Sequence, residues 1–255
     1  MKETYINFKD CYADIAQNMK TYPHELNYSP RYQINMTYEE MENSINSRSN
    51  HAYSVDIIHS FLDKALPELE WQQQFLESIG LLLTPDPTYY DPLYIFGSDT
   101  KGMKVLFSLI GSMIGLNNVS TLTVEELSRI HDSKTQRRLD NKLVNITFWE
   151  DSCNEIIIPT APKLIFISNN MPKARPISEE GYGLFDYVHL EDLTMLREPK
   201  FLQSFIKALP CLFYLATNEA KDIYNRENEA AYEEAEEKRW NSIELPDGNT
   251  LELII

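Results

Sequence analysis

The 255-residue chain is 43% hydrophobic, enough to bury a sizeable core, and sets 39 acidic against 23 basic residues for a formal net charge of -16. Nucleic acid is a polyanion whose binding takes a local basic surface, so this balance argues against broad nucleic-acid contact and for a soluble protein or a basic protein partner. No apolar run reaches the roughly 18 residues of a membrane span and the start MKETYINFKD lacks a signal-peptide core, so a cytoplasmic protein away from membranes is expected.

Residues 1–50 are polar and rich in Tyr and Asn, with the alternating pieces YINF and YQINMTY reading as short strands. Between residues 53 and 82, Val55, Ile58, Phe61, Leu62 and Leu66, then Leu69, Phe75, Leu76 and Ile79, recur at three-to-four spacing. That spacing predicts two amphipathic helices with a break at Pro67. The proline-rich TPDPTYYDP is a connector. After it come the strand LYIF, a glycine loop and the helix MKVLFSLIGSMIG. TVEELSRI reads as a further helix, with Thr123 as N-cap and Glu126 three residues on forming a capping box. KLVNITFW is an alternating strand, and KLIFIS is nearly continuous, as a strand covered on both faces is.

Strands interleaved with helices predict a parallel α/β core. Residues 199 to about 240 read as helical, apolar through PKFLQSFIKALPCLFYLATNEAKDIY and acidic in NRENEAAYEEAEEKRW, the second a solvated face or a charged docking surface. SIELPDGNTLELII alternates on both sides of Pro-Asp-Gly-Asn, a β-hairpin pattern. The expected division is a strand-containing lead-in (1–50), a helical subdomain (51–90), an α/β core (91–198) and a C-terminal region of helices and hairpin (199–255). Cys11, Cys153 and Cys211 fit neither a disulfide framework nor a zinc spacing and read as free thiols, and the five histidines form no i, i+4 pair, so no metal site is expected.

The chemistry-bearing stretch is IFGSDTKGMKV. Gly97 and Gly102 keep the spacing of a phosphate loop, in which backbone N–H groups at a helix start converge on an anion, a lysine adds charge and a hydroxyl holds magnesium. Here Met103 stands where the lysine belongs and Lys104 where the Ser or Thr belongs. Successive helical residues point about 100° apart, so Lys104 does not replace its neighbour. Lys101, inside the loop, is a weak substitute. NKLVNITFWED ends in Glu150 and Asp151, a pair suited to holding magnesium and polarising water, or ordinary loop acidity. PKLIFISNNMP ends in Asn169, placed to sense a γ-phosphate or position water, or a turn residue before proline.

The order of LYIFGSDTKGMKVLFSLIGSMIG, VSTLTVEELSRI, RLDNKLVNITFWED and PKLIFISNNMP resembles the superfamily 3 helicase domain, an AAA+ fold, of phage, plasmid and poxvirus primase-helicases. INFKDCYADI, FLDKALPELEWQQQFLESIGLLLTPDP and PKFLQSFIKALPCLFYLAT are similar to its lead-in, its helical segment and its trailing helices, so the resemblance covers roughly residues 4–220. It implies an AAA+-like parallel sheet flanked by helices. The chain departs from the pattern at three places. The loop lysine and hydroxyl are Met103 and Lys104. The family's DNA-gripping hairpin has no room in DSCNEIIIPTAP, 12 residues long. SEEGYGLFDYVHL has no arginine to reach a neighbouring subunit's site; Phe185 and Asp186 lie there, and Arg175 falls a turn or two earlier.

The resemblance and its losses together imply a catalytically inactive copy carried by a mobile element, acting in a bacterial cytoplasm. Its expected partners are a related helicase ring, a replication protein, a host defence protein or further copies of itself, and no cofactor is expected. On that reading Gly97 and Gly102 persist because the strand-to-helix turn needs them, with Met103 packed where a phosphate sat. One rival is a residual ATP and magnesium binder using Lys101 or Lys104 with Glu150. Another is a nucleic-acid-binding replication accessory using Lys134, Arg137 and Arg138 of KTQRR.

Overall fold

The computed structural model describes residues 4–24, 32–46, 51–86, 89–123, 126, 138–139, 142–148, 157–158, 163–169, 177–178 and 186–241. At the amino end, β1 (Tyr5–Asn7), β2 (Cys11–Asp14) and β3 (Lys20–Pro23) form an antiparallel sheet in that order. YINF is thus a strand, and YQINMTY is not. Its alternation is real, since Ile34 and Met36 are fully buried. Its backbone meets the sheet at two points only, Ile34 N–H to Asn7 O at 2.8 Å and Met36 O from Lys9 N–H at 3.0 Å. Tyr32 is left-handed at φ 56°, which interrupts the extended run. At the other end Asp10 accepts from the amides of Tyr38 (2.7 Å) and Glu39 (3.3 Å), so the chain turns into helix α1 (Tyr38–Asn46).

Helices α2 (His51–Ala65) and α3 (Leu69–Leu81) flank Pro67 as the spacing predicts. Ile58, Phe61, Leu62, Phe75, Leu76 and Ile79 all face inward. Their partner is the 43-residue α5 (Pro199–Asn241), which buries Phe205, Leu209, Leu212, Phe213, Ala216 and Tyr224 against α1, α2 and α3. Helix α4 (Thr100–Ile114) packs against the main sheet and touches α5.

The main sheet comprises β4 (Leu93–Phe96), β5 (Val119–Thr123), β6 (Val144–Phe148), β8 (Lys163–Ser168) and β10 (Asp186–His189), with a small separate parallel pair, β7 (Ile157–Ile158) and β9 (Ile177–Ser178). Its order is β10-β4-β8-β6-β5 and every pairing is parallel. The predicted parallel α/β core is therefore present, with helices and a small antiparallel sheet attached. One face carries Leu93, Ile95, Ile165, Ile167, Val144, Ile146 and Val188, all in a continuous core with Met103, Leu106, Phe107 and Ile110 of α4. The opposite face carries Tyr94 and Phe166, buried and stacked 6.3 Å apart.

β8 is buried along its whole length, as its continuous apolar run predicts. In β6 the polar members of the alternation, Asn145 and Thr147, are fully buried. They are satisfied by each other and by β5: Ser120 Oγ donates to Asn145 Oδ1 at 2.9 Å, and Asn145 Nδ2 donates to Thr147 Oγ1 at 2.8 Å. The capping box is present, with Glu126 N–H donating to Thr123 Oγ1 at 3.2 Å and Thr123 N–H to Glu126 Oε2 at 2.8 Å. The remainder of TVEELSRI, the C-terminal hairpin and Cys153 lie outside the described residues; Cys11 and Cys211 are free thiols. Among the described residues, no helix is long and apolar enough to cross a membrane.

Candidate functional site at the carboxyl end of the sheet

Neighbouring strands β4 and β8 send their connections in opposite directions, β4 through α4 toward the β5 edge and β8 across β4 toward β10. Their carboxyl ends therefore form a topological switch point, where parallel sheets open a crevice for ligands. The glycine loop leaves β4 at this point. Gly97 N–H donates to Ser168 O at 3.2 Å, which sets Asn169, exposed at the end of β8, beside the loop. Gly97, Gly102, Lys101, Lys104 and Asn169 are thus brought to one end of the sheet. β6 ends in register with β8 at Phe148 and Ile167, and Glu150 and Asp151 beyond it lie outside the described residues.

The chain that follows β10 lies against the glycine loop. Leu190 N–H donates to Phe96 O at 2.8 Å, and the Leu190 carbonyl sits directly over Gly97. Leu193 covers Gly102, where an added Cβ would come within 2.5 Å of the Leu193 Cβ. Neither glycine has a positive φ, so the turn itself does not need them. What needs them is the close passage of residues 190–197, which corrects the expectation drawn from the sequence. Leu190, Leu193, Met195 and Leu196 are all buried, so this strap belongs to the core. Its last turn is fixed from within by Asp192, which accepts from the Thr194 hydroxyl at 2.6 Å and amide at 2.9 Å and is held below the usual carboxylate range chiefly by that hydroxyl.

The group at the start of α4 is Asp99. Its Oδ1 accepts from Gly102 N–H at 2.9 Å and from Arg197 Nη2, forming an ion pair in which the Asp99 side chain is 10% exposed. Its Oδ2 is buried without a partner. Met103 points into the core with the rest of the apolar face of α4. Lys101 and Lys104 are exposed on the first turn.

No protein-family model and no curated protein matches the chain. Among solved structures it shows distant similarity to the NrS-1 C-terminal region. The apo A form of that region is 15% identical over 65% of this chain and 47% of that chain, with a TM-score of 0.42. An apo A form covering residues 305–718 is 14% identical over 65% and 46%, with a TM-score of 0.39. A further apo structure of the same span is 14% identical over 65% and 48%, with a TM-score of 0.39. The chain therefore spans about half the length of these proteins.

The other sequence candidates separate from this end of the sheet. Asp186 begins β10, at the far end of the strands from the loop, and accepts from Gln74 Nε2 at 3.0 Å and Ser78 Oγ at 3.2 Å, so it ties β10 to α3. Arg175 and Phe185 lie outside the described residues, as do Lys134 and Arg137. Arg138 is paired with Glu126 and donates to Thr121 O at 2.7 Å, which commits it to the capping box at the β5 edge. Among the described residues, no group of three or more His, Cys, Asp or Glu is placed to hold a metal ion.

Two residues escape the sequence reading. Asp99 carries a helix-start signal, an acidic side chain just ahead of an apolar-periodic run. Arg197 carries none, because its partner lies 98 residues away in the chain.

Proposed function

We propose that this chain is a superfamily 3 helicase-like protein of a mobile element that has lost nucleotide chemistry and acts through protein–protein contact, in replication or its regulation or against a host defence protein. The observation that carries the reading is the Asp99 carboxylate at the start of α4, paired with Arg197 where a nucleotide phosphate would need the same N–H groups. A triphosphate arriving there meets an aspartate already paired with an arginine, and finds Met103 and Lys104 at the positions where the resembling loop has its lysine and its magnesium-holding hydroxyl. It also meets a strap whose backbone lies against Gly97. Removing the charge contacts and the space together removes both the affinity and the positioning on which phosphoryl transfer depends.

Calorimetry with magnesium-ATP tests the inactive half of the reading. No heat at millimolar nucleotide, together with no phosphate release, is expected; saturable heat overturns it in favour of a residual ATP binder. Size-exclusion chromatography and pull-down with the element's replication proteins and with host defence proteins test the interaction half. A stable complex or a homo-oligomer is expected, and a monomer that captures none of them removes that half.

A further inference from the structure

We propose that the groove between α1, α2 and α5 docks a basic amphipathic helix of a partner protein; this rests on the interaction half of the function proposed above and gives it a place and a chemistry. The groove holds about 1060 Å³ and is walled by Glu39 and Glu40 of α1, Tyr53 and Ser54 of α2, and Lys207 and Pro210 of α5. Small-ligand pockets run to roughly 300–1,000 Å³ and close around their ligand, whereas a groove bounded by three helices suits a segment of chain.

Charge selects the occupant first. Glu39 and Glu40 are exposed in the first turn of α1 and bond only within their own segment, Glu40 accepting from Thr37 N–H at 2.9 Å and Glu39 from Asn43 Nδ2 at 3.4 Å. Among the described residues no lysine or arginine is ion-paired with either, so both carboxylates keep room to accept from a cation. On α5, Pro210 has no N–H, so the Ile206 carbonyl one turn earlier loses its ordinary helical donor beside the groove. These acceptors call for the donors of arginine or lysine. Lys207 is the cation of the lining, and the occupant meets it with a carboxylate or a carbonyl.

Apolar contact selects it second. Tyr53 is 55% exposed and Ile206 44% exposed, the latter one turn before Pro210 on the same side of α5. The Tyr53 hydroxyl is hydrogen-bonded to Ser204 Oγ of α5 at 2.5 Å, which fixes the ring before any partner arrives. A fixed tyrosine offers contact area at little entropic cost, as interface anchors do. A helix with an apolar stripe flanked by bases covers the ring and reaches α1 together. The chain's net charge of -16 draws a partner of that sign from further away.

The test is fluorescence anisotropy of a labelled amphipathic helical peptide built of leucine and arginine, titrated with the full chain, beside a leucine–glutamate peptide of the same length. Wild type is expected to bind the arginine peptide saturably and to ignore the other. Glu39→Lys/Glu40→Gln, in which glutamine keeps the Thr37 cap, and Tyr53→Ala should each lose about tenfold in affinity, the ordinary effect of removing an interface anchor. Asp63→Lys/Glu70→Lys reverses two exposed acids at the far end of α2 and on α3, changes the net charge by more, and should bind as wild type does. No binding by wild type, affinity retained in either groove variant, or an equal loss in the Asp63/Glu70 variant overturns the proposal. A complex with a replication or defence protein that survives both groove variants would also remove the groove while leaving the interaction reading standing, so the two failures are told apart.

Discussion

Lys163 Nζ donates to the Thr84 carbonyl at 2.8 Å inside the protein, at the amino end of β8, and so fastens the α3–β4 connector to the sheet. The same ammonium reaches Leu81 O and Thr84 Oγ1, and lies over the Tyr90 ring at 5.3 Å. Tyr90 in turn donates to Leu164 O at 2.7 Å, and Asp86 of the connector accepts from Tyr224 of α5 at 2.9 Å.

Burial pushes Lys163 down to about 7, with Asp86 pulling the other way. A lysine in the unfolded chain titrates near 10.4, so above pH 7 the unfolded chain holds a proton that the folded chain lacks, and stability rises with pH. Cys11 and Cys211, whose thiols burial pushes up to about 11, oppose that rise once unfolded thiols begin to ionise near pH 8.5. Urea melts should therefore show a gain of about 1–2 kcal/mol between pH 7 and 8.5. Lys163→Met should be flat over the same interval; parallel curves would mean that Lys163 stays charged in the fold.

Replacing Gly102 by alanine gives a prediction of sign. At an open helix position the change stabilises by up to about 1 kcal/mol. Here the new methyl would press on Leu193 Cβ at 2.5 Å and Asp99 Oδ2 at 2.7 Å, so a loss of about 1–3 kcal/mol is expected in denaturant unfolding. A gain would show that the strap does not lie on the loop in solution.

Thr123→Ala removes the hydroxyl that caps the Glu126 amide and should cost about 1 kcal/mol. Glu126 is held below the usual carboxylate range first by the Thr123 amide, with Arg138 contributing less. Arg138→Gln breaks a half-exposed ion pair and should cost less than the cap, below about 1 kcal/mol. Unfolding midpoints of the two variants order the contributions, and the reverse order would make the arginine the main tie.

Local signals were legible in the sequence. LYIF, the two helices about Pro67, the continuous burial of β8 and the Thr123–Glu126 box follow from short-range spacing and from side chains that act within a few residues of themselves. β5 carries little signal because VSTLT is short and its buried residues, Ser120 and Leu122, include only one apolar side chain. YQINMTY misled because a buried alternation arises from any extended segment lying on a core, whether or not its amides pair. The glycine loop was legible as a loop, and its chemistry was not. Which side chain fills it depends on Arg197 and Leu193, brought in by β10, and no periodicity near residue 97 encodes a contact with residue 197.

The buried Ser120–Asn145–Thr147 chain also bears on how the sheet assembles. Side chains alternate between faces, so a one-residue slip of β6 would turn Asn145 and Thr147 into the aliphatic layer against α4 and bring Val144 and Ile146 to the polar positions. Aliphatic strands of similar length have little else to tell one alignment from the next. Three small polar groups near the β5 edge of the sheet thus act as an alignment key that favours a single register of β5 on β6.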